Sequence, residues 1–133
     1  MTMNNLETLG WDKFFESHFE PYAANGYASG RVASEYKHFY CVYSESGKVL
    51  GEIAGRLRHE ALNRGDLPVV GDWVVIRPSP EGGKVTIHAA LPRKSKFTRK
   101  MAGVRTEPQI VASNTDTVFL ITSLNEDFNP RRV

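Results

Sequence analysis

The chain has 133 residues, 41% hydrophobic and 11% aromatic, which suits one folded domain with a real core and excludes a disordered tail. It has no apolar run near the roughly 20 residues of a membrane-spanning helix and no signal peptide, so we expect a cytoplasmic protein without a membrane partner. The single cysteine, Cys41, forms neither an internal disulfide nor a cysteine-based zinc site.

The net charge of +2 conceals a strong asymmetry along the chain. Residues 1–55 carry four bases and seven acids, residues 56–105 carry eleven and four, and residues 106–133 carry two and four. A basic cluster of this kind attracts phosphate backbones. Basic runs also serve solubility and protein contacts, so charge alone leaves a solvated loop open.

The first predicted element is an amphipathic helix over residues 9–20, in which Leu9, Trp11, Phe14, Phe15 and Phe19 recur close to helical spacing. Pro21 is expected to end this helix. Its aromatic stripe predicts a face that packs against the rest of the protein, and its acidic side does not suit RNA.

Short runs rich in Val and aromatic residues follow, and they predict strands. The predicted strands cover residues 27–34, 38–44, 48–53, 72–77 and 84–90, with a helix over residues 55–64 between the third and the fourth. Five strands with a helix in that place match the order of an OB-fold barrel. We therefore predict a mainly β fold.

The most basic segment, residues 91–105 (LPRKSKFTRKMAGVR), holds six Lys or Arg and no acid. Residues 109–123 then include the apolar run VFLI (residues 118–121), which is typical of a strand buried on both faces of a parallel sheet. The predicted organisation is an N-terminal helical segment (1–26), an OB-fold domain (27–91), a basic linker (92–108) and the start of a truncated α/β domain (109–133).

Four segments, in this order and spacing, resemble the family of bacterial ribosome small-subunit-dependent GTPase A, the circularly permuted GTPases of small-subunit biogenesis. They read GRLRHEALNR (55–64), VGDWV (70–74), IHAALPRKSKFTRKMAG (87–103) and QIVASNTDTVFLITSLNEDFNPRR (109–132). The resemblance implies an OB-fold followed by a permuted GTPase domain and a zinc domain. It implies GTP, Mg and Zn as cofactors of the full-length protein, and the small ribosomal subunit with its rRNA as partner.

The chain lacks the sequence that GTP chemistry needs. A P-loop requires GxxxxGK[ST], but Gly82-Gly83-Lys84 is followed by Val85, and the guanine-reading Asn-Lys-x-Asp segment is missing. We therefore expect no cofactor in these 133 residues and no GTPase activity from them alone. The four histidines have no paired spacing that suggests a metal site, and no serine has a nucleophile-elbow context, so no catalytic residue is predicted.

What remains is RNA binding, because OB-folds bind oligonucleotides across strands 2 and 3 and with the adjoining loops. Exposed bases contact phosphates and aromatics stack on unpaired bases. The loop Pro78 to Gly83 belongs to the same surface, and Phe97 is expected to anchor the basic segment by packing. The predicted RNA-binding residues are Tyr36, Lys37, His38, Arg56, Arg58, Arg64, Arg93, Lys94, Lys96, Arg99 and Lys100.

The sequence thus predicts an rRNA-binding OB-fold that serves a GTPase of late small-subunit assembly. The alternatives are a β-barrel that docks ribosomal or partner proteins without touching RNA, and a stand-alone enzyme, which the missing motifs disfavour. The apolar run 118–121 has no predicted partner strand, so it is expected to be disordered, aggregate, add to the barrel edge or mediate self-association. The roles of Asn114 and Asp116 stay open.

Overall fold

The computed structural model describes residues 6–64, 67–79, 83–100 and 108–121. Within these ranges, two α-helices and seven strands follow a short 3-10 turn at Leu6–Leu9. The helices are α1 (Lys13–Ala23) and α2 (Gly55–Arg64), and the strands are β1 (Ala28–Glu35), β2 (Tyr40–Ser44), β3 (Gly47–Ile53), β4 (Trp73–Pro78), β5 (Lys84–Ala90), β6 (Lys96–Lys100) and β7 (Pro108–Ser113).

The first five strands close into a barrel in the order β1-β2-β3-β5-β4, with β4 also paired to β1. All neighbouring strands are antiparallel except β3 and β5, which are parallel. Helix α2 connects β3 to β4. This arrangement confirms the predicted OB-fold, and each predicted strand lies within two residues of its observed position. Alternation explains the agreement, since side chains on successive strand residues point to opposite faces.

The interior of the barrel is filled by mainly aliphatic side chains from β1, β2, β4, β5 and α2, and the partly buried Val49 and Ile53 of β3 pack against them. The buried group comprises Val32, Tyr40, Val42, Leu57, Val74, Ile76, Val85 and Ile87. Gly30 and Gly51 leave room for their neighbours, because a Cβ on Gly30 would come within 2.5 Å of Val42. The Tyr40 hydroxyl, which the core buries, donates to the carbonyl of Pro68 at 3.0 Å.

Helix α1 begins and ends later than predicted. Its N-cap is Asp12, whose carboxylate accepts from the backbone N–H groups of Phe14 and Phe15, as N-cap side chains do. Pro21 lies inside the helix and does not end it. Proline has no backbone N–H to donate, but Pro21 stands in the last turn of the helix. There Ala24 N still donates to Glu20 O at 3.2 Å and completes the helix.

The aromatic stripe of α1 packs on the outer face of the barrel, as the sequence predicted. Phe15 is buried against Trp73, with ring centroids 5.8 Å apart, and Trp11 meets the same indole edge to face at 4.8 Å. Leu6, Val75 and Leu91 complete this second apolar cluster. Helix α1 therefore lies against β1 and β4.

The basic segment is not a plain loop, because β6 pairs with β7 in an antiparallel hairpin that sequence reasoning missed. Strand β6 has the sequence KFTRK. It contains too few apolar residues to show the alternating apolar and polar pattern that predicts a strand. The strand predicted at the apolar run VFLI is not formed, and the strand observed upstream of that run, β7, ends at Ser113. Residues 118–121 form no strand and are 49% to 93% exposed, since a strand of the buried type needs sheet neighbours. The last predicted residues, 122–133, lie outside the described ranges.

The hairpin joins the barrel through a buried carboxylate, that of Asp72, which is fully buried. Its two oxygens accept four hydrogen bonds: from Arg93 Nε at 2.7 Å, Arg93 Nη2 at 2.8 Å, Ser113 Oγ at 2.5 Å and Val69 N at 2.9 Å. The Arg93 side chain is only 19% exposed. A buried charge is tolerated when it is paired and fully hydrogen-bonded, as here.

Removing Arg93 should therefore unfold the protein more readily. We expect Arg93→Ala to lower the free energy of unfolding by about 3–5 kcal/mol, because it leaves the Asp72 carboxylate buried without its counterion. The matched control is Arg99→Ala, an exposed arginine of β6, which should change stability by about 0.5 kcal/mol or less. Urea denaturation of both variants measures the difference. Equal losses would contradict a structural role for Arg93.

Gly71 allows the hairpin to approach the barrel closely. Its φ is +96°, and a Cβ there would overlap the carbonyl of Ser113, whose N–H donates to Val70 O at 2.9 Å. Only glycine combines this φ with the absence of a side chain at low cost.

Substitution of Gly71 should accordingly lower the stability of the fold by more than the backbone strain alone would. Gly47 is the matched control, because its φ is +101° and a Cβ there would meet nothing within 4 Å. We expect Gly47→Ala to lower stability by about 1–3 kcal/mol through backbone strain, and Gly71→Ala to lower it clearly further. Thermal denaturation of the two variants makes the comparison. Equal melting temperatures would mean that the approach of Ser113 relaxes freely.

Candidate nucleic-acid interface

Strand direction gathers the predicted basic segments at one end of the barrel. Strands β1 and β3 run in the same direction because each is antiparallel to β2, and β5 is parallel to β3. The chain leaves all three strands at the same end, into the β1–β2 loop (36–39), helix α2 and residues 91–95. We call this the basic end. The predicted β4–β5 loop, Pro78 to Gly83, lies at the opposite end, and its residues 80–82 fall outside the described ranges.

The β1–β2 loop presents two aromatic rings to solvent. Tyr36 is 50% exposed and Phe39 is 38% exposed, and their ring centroids lie 5.0 Å apart with an interplanar angle of 35°. The backbone holds the pair together, since Tyr36 N donates to Phe39 O at 2.9 Å. Lys37 and His38 between them are exposed. The loop thus combines ring faces and cationic groups on one tight turn.

The residue after this loop settles which aromatic belongs to the core. Strand alternation lets only one of Phe39 and Tyr40 face inward, and the structure buries Tyr40. Burial raises the pKa of the Tyr40 hydroxyl to about 12. Tyr40 therefore stays neutral and structural, and Phe39 remains available for contact.

Helix α2 turns its apolar side to the barrel and its bases to solvent. Leu57 and Ala61 are buried, whereas Arg56 and Arg58 are exposed. Arg56 pairs with Glu60 at 3.2 Å with 91% of its side chain exposed, and such a surface pair contributes little stability. Arg64, predicted as an RNA contact, closes the helix, and its side chain lies outside the described part of the protein.

The bases of the hairpin segment divide into two groups. Arg93 is bound to Asp72, so the expectation that its side chain lies at the surface is wrong. Lys94 Nζ donates to the Asp12 carboxylate and lies 5.3 Å from the centroid of the Phe15 ring, and this hydrogen bond from Lys94 lowers the pKa of Asp12. Lys96 and Arg99 are exposed on β6. The side chain of Lys100 lies outside the described ranges.

Phe97 is not the packing anchor that the sequence predicted. It is 44% exposed and belongs to neither apolar cluster of the described residues. Lys96, Phe97, Thr98 and Arg99 are all exposed along β6. The hairpin therefore carries an exposed aromatic ring beside an exposed base.

Sequence reasoning missed a further group on the outer face of the barrel. Tyr43 is 38% exposed and lies opposite Arg31 on β1 and Lys48 on β3. Leu50 is also exposed, next along β3 on the same face. The alternation of β2 held the signal, since a core position for Val42 sends Tyr43 outward.

Among the described residues, no group of three or more His, Cys, Asp and Glu side chains could hold a metal ion. Cys41 is buried. None of the helices in the described ranges has the length and apolarity needed to cross a membrane.

Comparison with known proteins places the chain among ribosome-assembly GTPases, although no protein-family model matches it. Small ribosomal subunit biogenesis GTPase RsgA of Opitutus terrae is 45% identical over 136 residues, which cover 96% of this chain and 37% of the relative. The protein of the same name from Syntrophotalea carbinolica is 38% identical, with coverage of 97% and 37%. The chain thus spans just over a third of the length of these relatives.

A solved structure agrees with these relatives. YjeQ from Thermotoga maritima superposes with a TM-score of 0.50 at 26% identity, covering 68% of this chain and 28% of that one. The identity to these relatives, over nearly the whole of this chain, leads to one assignment. The chain belongs to the family of small ribosomal subunit biogenesis GTPases, RsgA.

Proposed function

We propose that this chain is the rRNA-binding part of a GTPase that assists late assembly of the small ribosomal subunit in the cytoplasm. The observation that carries the proposal is the basic end, where the β1–β2 loop with its exposed aromatic pair, helix α2 with exposed bases and the segment that leads into β6 all leave the barrel. The names of the relatives supply the biological setting.

The chemistry of the basic end fits RNA rather than a folded acidic protein. Sequence-specific RNA recognition targets unpaired bases, which stack on aromatic side chains, while Lys and Arg contact the phosphates. Tyr36 and Phe39 offer ring faces, and Lys37 stands between them. Arg56 and Arg58 on α2 and Lys96 and Arg99 on β6 supply cations around that platform. Arg93 and Lys94 contribute indirectly, by holding the hairpin in place.

The GTPase activity of the full-length relatives falls outside these residues in the proposal. The P-loop and the guanine-reading segment are missing from the 133 residues, so GTP and Mg, and with them Zn, belong to the rest of such a protein. Residues 109–133 are proposed to open its GTPase domain. The exposed run 118–121 would then pack within that domain, and self-association of the isolated chain is its expected consequence.

A protein-docking role is the second candidate, and the exposed outer face of β2 and β3 favours it. Tyr43 and Leu50 present apolar surface there without a cover among the described residues. Binding to ribosomal proteins through this face would depend weakly on salt. Binding to rRNA depends on it steeply, because each phosphate contact releases counterions.

The first test changes the exposed bases of β6. We expect Lys96→Ala with Arg99→Ala to weaken binding to small-subunit rRNA and to reduce the slope of log K against log salt by about 0.7 to 0.9 for each lost phosphate contact. The melting temperature should not change, because both side chains are exposed. Lys13→Ala, which removes an exposed base from α1, is the control and should leave affinity and slope as they are. Unchanged affinity in the β6 variant would mean that the bases of this strand face solvent and do not contact RNA.

A second test separates stacking from charge at the β1–β2 loop. Replacing Tyr36 and Phe39 with Ala should cost about 1–3 kcal/mol of binding free energy for each base that loses its stacking partner, with the salt slope unchanged. Lys37→Ala is the counterpart, since it should flatten the slope and leave stacking intact. Fluorescence titration with single-stranded rRNA segments at several salt concentrations measures both. Full affinity in the aromatic variant would place the RNA surface elsewhere.

A further inference from the structure

The guanidinium of Arg31 joins three segments that are distant in the sequence. Its Nε donates to Gly71 O at 3.0 Å, Nη1 to Leu9 O at 2.5 Å and Nη2 to Asn114 O at 2.9 Å. These carbonyls belong to the N-terminal turn, the loop before β4 and the chain that leaves β7. Arg31 is half-buried and not among the predicted RNA contacts. Three of its five N–H donors are used inside the protein.

An open crevice of about 670 Å³ lies between the same three segments. Leu9, Gly71 and Asn114 all line it, together with Arg31 itself. The planar fork of Arg31 supplies hydrogen bonds that connect the walls. Lysine could not replace it, since an ammonium on a flexible stem does not present donors in a fixed fork.

Asn114 supplies the second half of this connection. Its φ of +53° turns the chain at the end of β7, a conformation that asparagine tolerates better than most residues. Its Nδ2 donates to Gly71 O at 2.9 Å and its Oδ1 accepts from Lys94 N at 2.8 Å. Its own N–H donates to Ser95 O at 2.9 Å. One residue thus ties both ends of the hairpin to each other and to the barrel.

We propose that Arg31 and Asn114 are positioning residues that hold the β6–β7 hairpin at a fixed orientation to the basic end, so that both engage one RNA as a single rigid surface. The inference rests on the proposed function. Arg31 touches no RNA in this arrangement. It acts by keeping Lys96 and Arg99 at a set distance from the β1–β2 loop.

Rigidity matters because two linked contacts bind more tightly when the link holds them at the right spacing. The second contact then forms within the same complex, at a high effective concentration. A hairpin that swung freely would lose part of this gain without losing any charge. The signature of positioning is therefore weaker binding with an unchanged salt dependence.

The experiment measures the hairpin orientation directly. Spin labels at Glu45 in the β2–β3 turn and Gln109 on β7, both exposed, are placed in a Cys41→Ala background, and their distance distribution is recorded by pulsed electron resonance. We expect one narrow distribution for the parent chain and broader ones for Arg31→Lys and Asn114→Gly. Glycine keeps the φ of Asn114 and removes its side-chain hydrogen bonds. It is the second variant should Arg31→Lys not fold.

Arg77→Lys is the matched control. Arg77 also donates to a backbone carbonyl, Asn25 O at 2.8 Å, and lies over the Tyr27 ring at 4.1 Å, but on β4, which ends away from the hairpin. This variant should keep the narrow distribution. In titrations with small-subunit rRNA, Arg31→Lys should bind about tenfold more weakly than the parent, with the same salt slope because its charge is retained.

Two results would overturn the proposal. Narrow distributions in both Arg31→Lys and Asn114→Gly would mean that other contacts hold the hairpin. Broad distributions with full rRNA affinity would mean that its orientation has no part in binding. Failure of the proposed function looks different, because the parent chain would then not bind rRNA at all, while the distances would still decide whether Arg31 positions the hairpin.

Discussion

The buried carboxylate of Asp72 is the interaction on which the rest of this structure depends. A charge without access to water is stable only when hydrogen bonds replace its hydration, and Asp72 obtains four from three places in the chain. Val69 belongs to the loop before β4, Arg93 to the segment after β5, and Ser113 to the end of β7. The hydrogen bonds that the Asp72 carboxylate requires therefore hold the hairpin against the barrel. The close approach at Gly71 and the turn at Asn114 are its geometric consequences.

This constraint gives neighbouring bases different roles. Arg93 and Lys94 face carboxylates of the protein itself, whereas Lys96 and Arg99 face solvent. A count of charges treats all four alike, because it contains no information about partners. The proposed RNA surface is consequently smaller than the basic run suggests, because two of its bases pair with carboxylates of the protein. Stability and the proposed RNA binding thus fall to separate residues within a few positions of each other.

Strand direction decides where the basic elements of the barrel lie. The basic end collects the β1–β2 loop, α2 and the hairpin segment because three strands point toward it. Helix α1, with its acidic exposed side, covers the outside of β4 instead. The N-terminus of this helix reaches the hairpin segment, because the Asp12 carboxylate accepts a hydrogen bond from Lys94.

The sequence by itself determined the barrel. The alternation of apolar and polar residues in the strands, and the helical segment between β3 and β4, are local patterns that can be recognised without knowledge of tertiary contacts. The order of its motifs also determined the family. Only the tertiary structure decided that Arg93 is internal, that Phe97 is exposed and that β6 pairs with β7. Asp72 lies 21 residues from Arg93 and 41 from Ser113, and no local periodicity links positions so far apart. Helix α1 passes Pro21 for a related reason, since packing against Trp73 favours the helix where local propensity would end it.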